Sequence, residues 1–220
     1  NYSTNSRYEL LGEEGPMLVV CYGEFMESMQ PFVEWKNYKG IPTEMVDVAD
    51  IGGSDEIEAF VETKYYDDGI AFVLFVGDID QIPSPRYSDG AGSNSPADPS
   101  YGFVAGSDYY PEIIIGRFSA ENTSHVETMI NRTIEYEMDP DPTADWYKKG
   151  SGFASDQGPG DDGELDYEHL DNIRDDLLGF SYIEVDQIYD PSGTVEDGEV
   201  ALNEGRSIVN YTGHGSNGSW

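Results

Sequence analysis

Apolar runs of strand length recur along this chain, with amphipathic segments of helix length between them. That alternation constrains the fold more than any other feature of the sequence. Met17-Leu18-Val19-Val20-Cys21-Tyr22 and Ile70-Ala71-Phe72-Val73-Leu74-Phe75-Val76 are continuous apolar runs, the pattern of strands covered on both faces. Thr43 to Val48 alternates and reads as a strand between them. Phe25, Met29, Phe32, Val33 and Trp35 repeat at helical spacing, and Gly40 supplies a stop. Ser54-Asp55 opens a second helix through Ile57, Phe60, Val61 and Lys64. The order β-α-β-α-β implies a parallel sheet with helices on both faces.

The chain then changes character. Gly77-Asp78-Ile79-Asp80-Gln81-Ile82-Pro83 follows the third strand directly, and Asp78 and Asp80 read as turn-capping acids at its carboxyl end. Ser84 to Pro99 is a long polar loop. Tyr101-Gly102-Phe103-Val104-Ala105-Gly106 and Glu112 to Phe118 read as two short strands. Ser119 is expected to cap a helix from Glu121 to Met138, with Val126, Met129, Ile130, Thr133 and Ile134 on one face. His125 lies beside that stripe and reads as a solvated histidine. Asp139-Pro140-Asp141-Pro142 ends the helix, because proline cannot continue it. The expected boundary between two subdomains therefore falls between residues 142 and 143.

The second half repeats the alternation. Gly150 to Ala154 reads as a strand, followed by the acidic, glycine-rich segment Ser155 to Asp166. A helix through Tyr167, Leu170, Ile173 and Leu177 leaves His169 off its apolar stripe. A strand within Ser181 to Tyr189 and a short helix from Val195 to Asn203 lead to the run Ser207-Ile208-Val209. The overall expectation is an α/β protein of two doubly wound, mostly parallel subdomains, the second with three strands and no closing helix.

The 220 residues carry 44 acidic and 11 basic side chains, a net charge of −33. Such a surface opposes binding to nucleic acid or to anionic membranes, both of which need basic patches. No run of 18 apolar residues is present, so no membrane-spanning helix is expected. Charge alone would also fit a surface domain that binds cations. Cys21 is the one cysteine; no internal disulfide can form, and its place inside an apolar strand marks it as a small buried hydrophobe.

The chemistry gathers at the end of the chain. Asn210-Tyr211-Thr212-Gly213-His214-Gly215-Ser216-Asn217-Gly218-Ser219-Trp220 follows the last apolar run. It places an imidazole between two glycines at the carboxyl edge of a sheet, where α/β folds bind ligands. Asp156 and Asp161 follow the first strand of the same half. If the two strands are neighbours, a carboxylate can orient the imidazole while the other ring nitrogen faces substrate. Ser216 and Ser219 read as loop hydrogen-bonders, since nothing around them forms a nucleophile elbow. The nucleophile is missing from the set.

The histidine segment closely resembles that of the gingipains, cysteine endopeptidases with a caspase-like fold. Phe32-Val33-Glu34-Trp35-Lys36-Asn37, Val76-Gly77-Asp78, Ile115-Gly116-Arg117-Phe118-Ser119, Arg132 to Glu137 and Asp161 to Asp166 extend the resemblance, in order, across nearly the whole chain. The resemblance implies a caspase-like fold, with residues 8–142 as the amino-terminal α/β subdomain and residues 143–220 as the first part of the catalytic subdomain. Residues 1–7 align as a propeptide remnant, since Arg7-Tyr8 falls near the family's processing boundary. It implies a cysteine endopeptidase that cleaves after a basic P1 residue, arginine first, with His214 as the catalytic histidine, Gly215 as an oxyanion-hole donor and Asp166 as the carboxylate that receives the guanidinium of a P1 arginine. Gln157 falls nearest the family's orienting glutamate, with Asp156 or Asp161 as substitutes and Asp156 preferred.

The cysteine is expected beyond Trp220, in a remainder of the catalytic domain that is either continuous with this chain or a second chain. Substrates would be proteins or peptides with basic residues, and the enzyme would be secreted or at the cell surface. No cofactor is needed for the chemistry. The resemblance also implies structural calcium, with Asp78, Asp80, Asp162 and Glu164 as candidate ligands. The rival expectation is a non-catalytic caspase-like module used for binding or regulation.

Overall fold

The computed structural model describes residues 15–87, 95–108, 110–160 and 163–214. The chain divides into two compact units, one ending at Pro140 and one beginning at Asp141. Arg7-Tyr8, Asp161, Asp162, Gly215, Ser216 and Ser219 lie outside the described residues.

The first unit follows the alternation in the sequence. Strand β1 spans Met17–Cys21, helix α1 Met26–Tyr38, β2 Thr43–Asp47, α2 Ser54–Asp68 and β3 Phe72–Val76. A two-residue ribbon pairs β4, Arg86–Tyr87, with β5, Ser95–Pro96. Strand β6, Ile114–Phe118, and helix α3, Thr123–Met138, complete the unit. The main sheet is parallel, in the order β2-β1-β3-β6.

Alternate residues of β1 enter two separate cores. Leu18 and Val20 pack with Ile57 and Val61 of α2, while Val19 and Cys21 pack with Met29 and Phe32 of α1 and Val126 and Ile130 of α3. This is what a strand of period two requires when both faces are covered. Gly77 follows β3 at φ +144°, a conformation that favours glycine, and a Cβ there would stand 3.0 Å from the Cβ of Gln81.

Two local expectations are corrected. Tyr101–Gly106 is not a strand: a 3-10 turn covers Asp98–Gly102. Tyr101 is fully buried there, its ring 4.8 Å from that of Phe75 and its hydroxyl donating to the Pro83 carbonyl at 2.7 Å. Burial of one large ring decides this segment, against its strand-like composition. Ser119 does not cap α3. Asn122 does, its Oδ1 accepting the His125 N–H at 3.0 Å, while Ser119 donates to Asp78. Asparagine three residues later offers the better cap once the helix starts at Thr123. His125 is an exposed residue of that first turn.

The second unit contains β7, Lys149–Ala154, α4, Asp166–Phe180, β8, Glu184–Tyr189, α5, Val195–Glu204, and β9, Ile208–Thr212. Its sheet is parallel in the order β8-β7-β9. Because β7 lies in the middle, the two crossovers run in opposite directions, and right-handed connections then put α4 and α5 on opposite faces. On the α4 face, Leu170 packs with Ala154 and Tyr189. Gly152 permits this close approach: a Cβ there would lie 3.3 Å from Leu170 and Tyr189 side-chain atoms. Arg206, with only 2 % of its side chain exposed, donates to Asp186 at 2.7 Å, and Ser151 donates to the same carboxylate at 2.5 Å. Burial alone would raise the Asp186 pKa, but these donors outweigh it and hold the carboxyl below its ordinary value.

Candidate active site

The register of the second sheet assembles the site. Ala154 is level with Thr212 of β9 and with Tyr189 of β8. The residues that follow each strand therefore meet at one carboxyl edge: Ser155-Asp156-Gln157 in the centre, Asp190 on one side and Gly213-His214 on the other.

The histidine segment is held by its own tyrosine. The Tyr211 hydroxyl donates to the His214 carbonyl at 2.6 Å. This turns the chain tightly over the phenol, and a Cβ on Gly213 would stand 2.9 Å from the Tyr211 hydroxyl oxygen. Glycine at 213 is thus a steric requirement of the bond. The Ser155 N–H donates to the Thr212 carbonyl at 3.1 Å, which ties the same segment to the end of β7.

A cavity of about 470 Å³ opens beside His214. Phe153, Ile188, Val195, Leu202 and Tyr211 give it apolar walls, and Ser155, Gln157, Asp190, Glu199 and His214 supply its polar groups. Gly198 of α5 meets the Phe153 ring, where a Cβ would lie 3.1 Å from a ring carbon. An apolar pocket with a few polar groups is the usual form of a small-ligand or side-chain site.

Asp166 begins α4 and is half-buried. Its Oδ2 accepts a hydrogen bond from the Ser155 hydroxyl, and its N–H donates to the Gln157 carbonyl at 2.9 Å. The helix start favours a negative charge at this position. Leu165 N–H donates to Glu168 at 2.9 Å and so completes the cap. Asp166 and the histidine segment are therefore both bound to the turn after β7, and the residue that joins them is Ser155.

The other candidates fall as follows. Asp156 is exposed, and the cavity is lined by its neighbours Ser155 and Gln157. His169 is exposed and lies 3.3 Å from Glu164, which also accepts from Asn172 at 2.9 Å. Asp78 accepts from Ser119 at 3.0 Å and from the Ile79 N–H at 2.9 Å, and Asp80 is exposed.

Among the described residues no three His, Cys, Asp or Glu side chains gather as a metal site. Of the four candidate calcium ligands, Asp78, Asp80 and Glu164 lie among the described residues and Asp162 outside them. No step of the chemistry is routed through a metal.

Cys21 is wholly buried at the end of β1, and its thiol donates weakly to the Tyr22 carbonyl at 3.4 Å. Burial, with a smaller contribution from Asp47, pushes its pKa up to about 12. A thiol in that state is neither a nucleophile nor a metal ligand at neutral pH.

Ser155, Tyr211 and Asp190 had no individual signal in the sequence. A serine, a tyrosine and an aspartate at strand ends are all ordinary, and only the strand order β8-β7-β9 brings these three to one edge.

The parallel α/β unit thus carries an exposed histidine just past β9 and a half-buried carboxylate at the start of α4, each tied to the turn after β7. The chain belongs to Peptidase family C25, which it matches over residues 11–220. It is 36 % identical over 215 residues to gingipain R2 of Porphyromonas gingivalis, a match covering 94 % of this chain and 28 % of that protein. It is 29 % identical over 221 residues to Lys-gingipain of the same organism, covering 93 % of this chain and 12 % of the relative. The crystal structure of the Arg-specific cysteine proteinase gingipain R superposes with a TM-score of 0.82 at 35 % identity, covering 95 % of this chain and 49 % of that one. The chain thus spans about half of the solved structure it resembles, just over a quarter of gingipain R2 and about an eighth of Lys-gingipain. The parallel sheets with flanking helices are those of the caspase-like fold expected from the sequence. No helix among the described residues is long and apolar enough to cross a membrane.

Proposed function

We propose that this chain is the amino-terminal part of the catalytic domain of a cysteine endopeptidase that cleaves after basic residues, arginine above lysine. The observation that carries the reading is the common anchorage of His214 and Asp166 on the turn after β7. An imidazole and a carboxylate fixed to one sheet edge are what cleavage beside a cationic side chain needs.

In this reading His214 takes the proton of a thiol supplied from beyond Trp220, and the thiolate attacks the scissile carbonyl. The N–H of Gly215 stabilises the oxyanion of the tetrahedral intermediate. Collapse expels the amine, which receives the proton from His214, and leaves a thioester. Water, deprotonated by the same imidazole, then releases the acid and restores the thiol. Asp156 or Asp161 orients the ring, with Gln157 already on the cavity wall as the neutral alternative. Asp166 binds the P1 side chain, and the net charge of −33 favours approach of basic substrates.

The remainder of the catalytic domain is the structural partner. Strand β9 is one edge of the described sheet, and its Val209 and Tyr211 are 42 % and 41 % exposed. A further strand beside β9 would cover them and bring its own carboxyl end next to His214. Secretion or display at the cell surface completes the proposal.

The test uses the intact peptidase. An arginyl chloromethyl ketone should alkylate a cysteine outside residues 1–220, and His214→Ala should lower kcat/KM on arginyl peptides by about 10⁴-fold or more. Failure to cleave any basic peptide, with no cysteine labelled, would favour the non-catalytic binding module instead.

A further inference from the structure

Ser155 is the junction of three segments. Its N–H is bound to Thr212 at 3.1 Å, two residues before His214. Its hydroxyl oxygen accepts the Gln157 N–H at 3.2 Å and is hydrogen-bonded to Asp166 Oδ2. The proton can therefore have only one destination. A carboxylate at neutral pH has no hydrogen to give, and the amide of Gln157 is already a donor, so the Ser155 hydroxyl donates to Asp166. The bond also closes a loop, because the Asp166 N–H returns to the Gln157 carbonyl at 2.9 Å. Side chain and main chain of Asp166 are both fixed by the same short turn.

This matters for a ligand because the terminal torsion of an aspartate is broad. An unrestrained carboxylate can present any plane. A hydroxyl on Oδ2 restrains rotation and, among the described residues, leaves Oδ1 and the second lone pair of Oδ2 open. That is the acceptor set a guanidinium fork uses, with two parallel N–H bonds in the carboxylate plane. An ammonium is a point charge and is far less sensitive to that plane.

We infer that Ser155 is a positioning residue for P1 specificity: its hydroxyl orients the Asp166 carboxylate for a planar guanidinium and so favours arginine over lysine. The inference rests on Asp166 being the P1 carboxylate. Because the main-chain bond from Ser155 to Thr212 is untouched by a side-chain change, the histidine segment should stay in place when the hydroxyl is removed.

The experiment is steady-state kinetics of the intact peptidase on matched arginyl and lysyl peptides. Ser155→Ala should raise KM for the arginyl peptide about tenfold, with kcat within about twofold, and should raise the lysyl KM much less. Ser155→Thr, which keeps a hydroxyl, should recover most of the arginyl affinity. Asp166→Asn should raise KM for both peptides. If Asp166→Asn does so but Ser155→Ala leaves the arginyl KM alone, or moves both peptides equally, the role given to Ser155 is wrong while that of Asp166 stands. If Asp166→Asn leaves the arginyl KM unchanged, the P1 reading of Asp166 fails and takes this inference with it. Should Ser155→Ala not fold, Ser155→Cys, with a weaker donor, is read by the same arginyl-to-lysyl ratio.

Discussion

The phenol of Tyr211 closes over the backbone of His214, its hydroxyl donating to the histidine carbonyl at 2.6 Å across Gly213. The side chain of a strand residue thereby fixes the main chain that carries the proposed base. Preorganisation of this kind matters because small displacements of a catalytic group are costly in rate.

Tyr211→Phe should therefore lower kcat of the intact peptidase about fivefold, the worth of roughly 1 kcal/mol of hydrogen bond. KM for arginyl peptides should change little, since Asp166 is held through Ser155 and not through Tyr211. Stopped-flow or steady-state kinetics on the single variant would check it; an unchanged kcat would show that the bond does not position the imidazole.

Cys21 should be inert. It is 0 % exposed and its pKa is pushed up to about 12. Iodoacetamide should leave it unmodified in the folded protein at pH 8 and label it only after denaturation. Cys21→Ala should cost about 1 kcal/mol of stability from lost packing and keep full activity. Loss of activity with an unchanged melting temperature would make Cys21 the nucleophile.

Glu137 should account for part of the acid sensitivity of the first unit. It accepts from Lys36 at 2.5 Å, from Lys39 at 2.8 Å and from the Trp35 indole at 2.8 Å. Burial works to raise its pKa, but these three donors outweigh it and bring the value down from 4.5 to about 2. A carboxylate with a depressed folded pKa contributes its full stability above the unfolded value of about 4.5 and loses it as pH falls toward 2. Glu137→Gln should therefore cost about 3 kcal/mol at neutral pH, because Lys36, with 9 % of its side chain exposed, loses its counter-charge. The gap between variant and wild type should narrow as pH falls below 4.5, as measured by urea unfolding. A gap independent of pH would mean that the cost is packing and not charge.

Much of the architecture was legible because it is local. The runs at Met17–Cys21 and Phe72–Val76 are strands since nothing but a two-sided core accommodates them. The stripe Val126 and Ile130 is a helix face for the same reason of period. The errors were local too. Tyr101 looked like a strand residue because aromatic composition does not distinguish a pleated surface from a buried 3-10 turn. Ser119 looked like a cap because serine and asparagine are equally good caps, and the start of the helix at Thr123 chose between them.

By itself the sequence determined the alternation of strands and helices, the acidic surface, the burial of the one cysteine and the place of His214 just past a strand. These follow from periodicity and composition, which act over a few residues. Tertiary structure decided how the loop that carries Asp166 is tied to the histidine segment. Ser155 binds Asp166 within the loop from β7 to α4, and that loop meets the histidine segment through Thr212 because the order β8-β7-β9 puts the end of β7 beside the end of β9. That order is set by the direction of two crossovers, a property of the whole chain path that no short stretch of residues encodes.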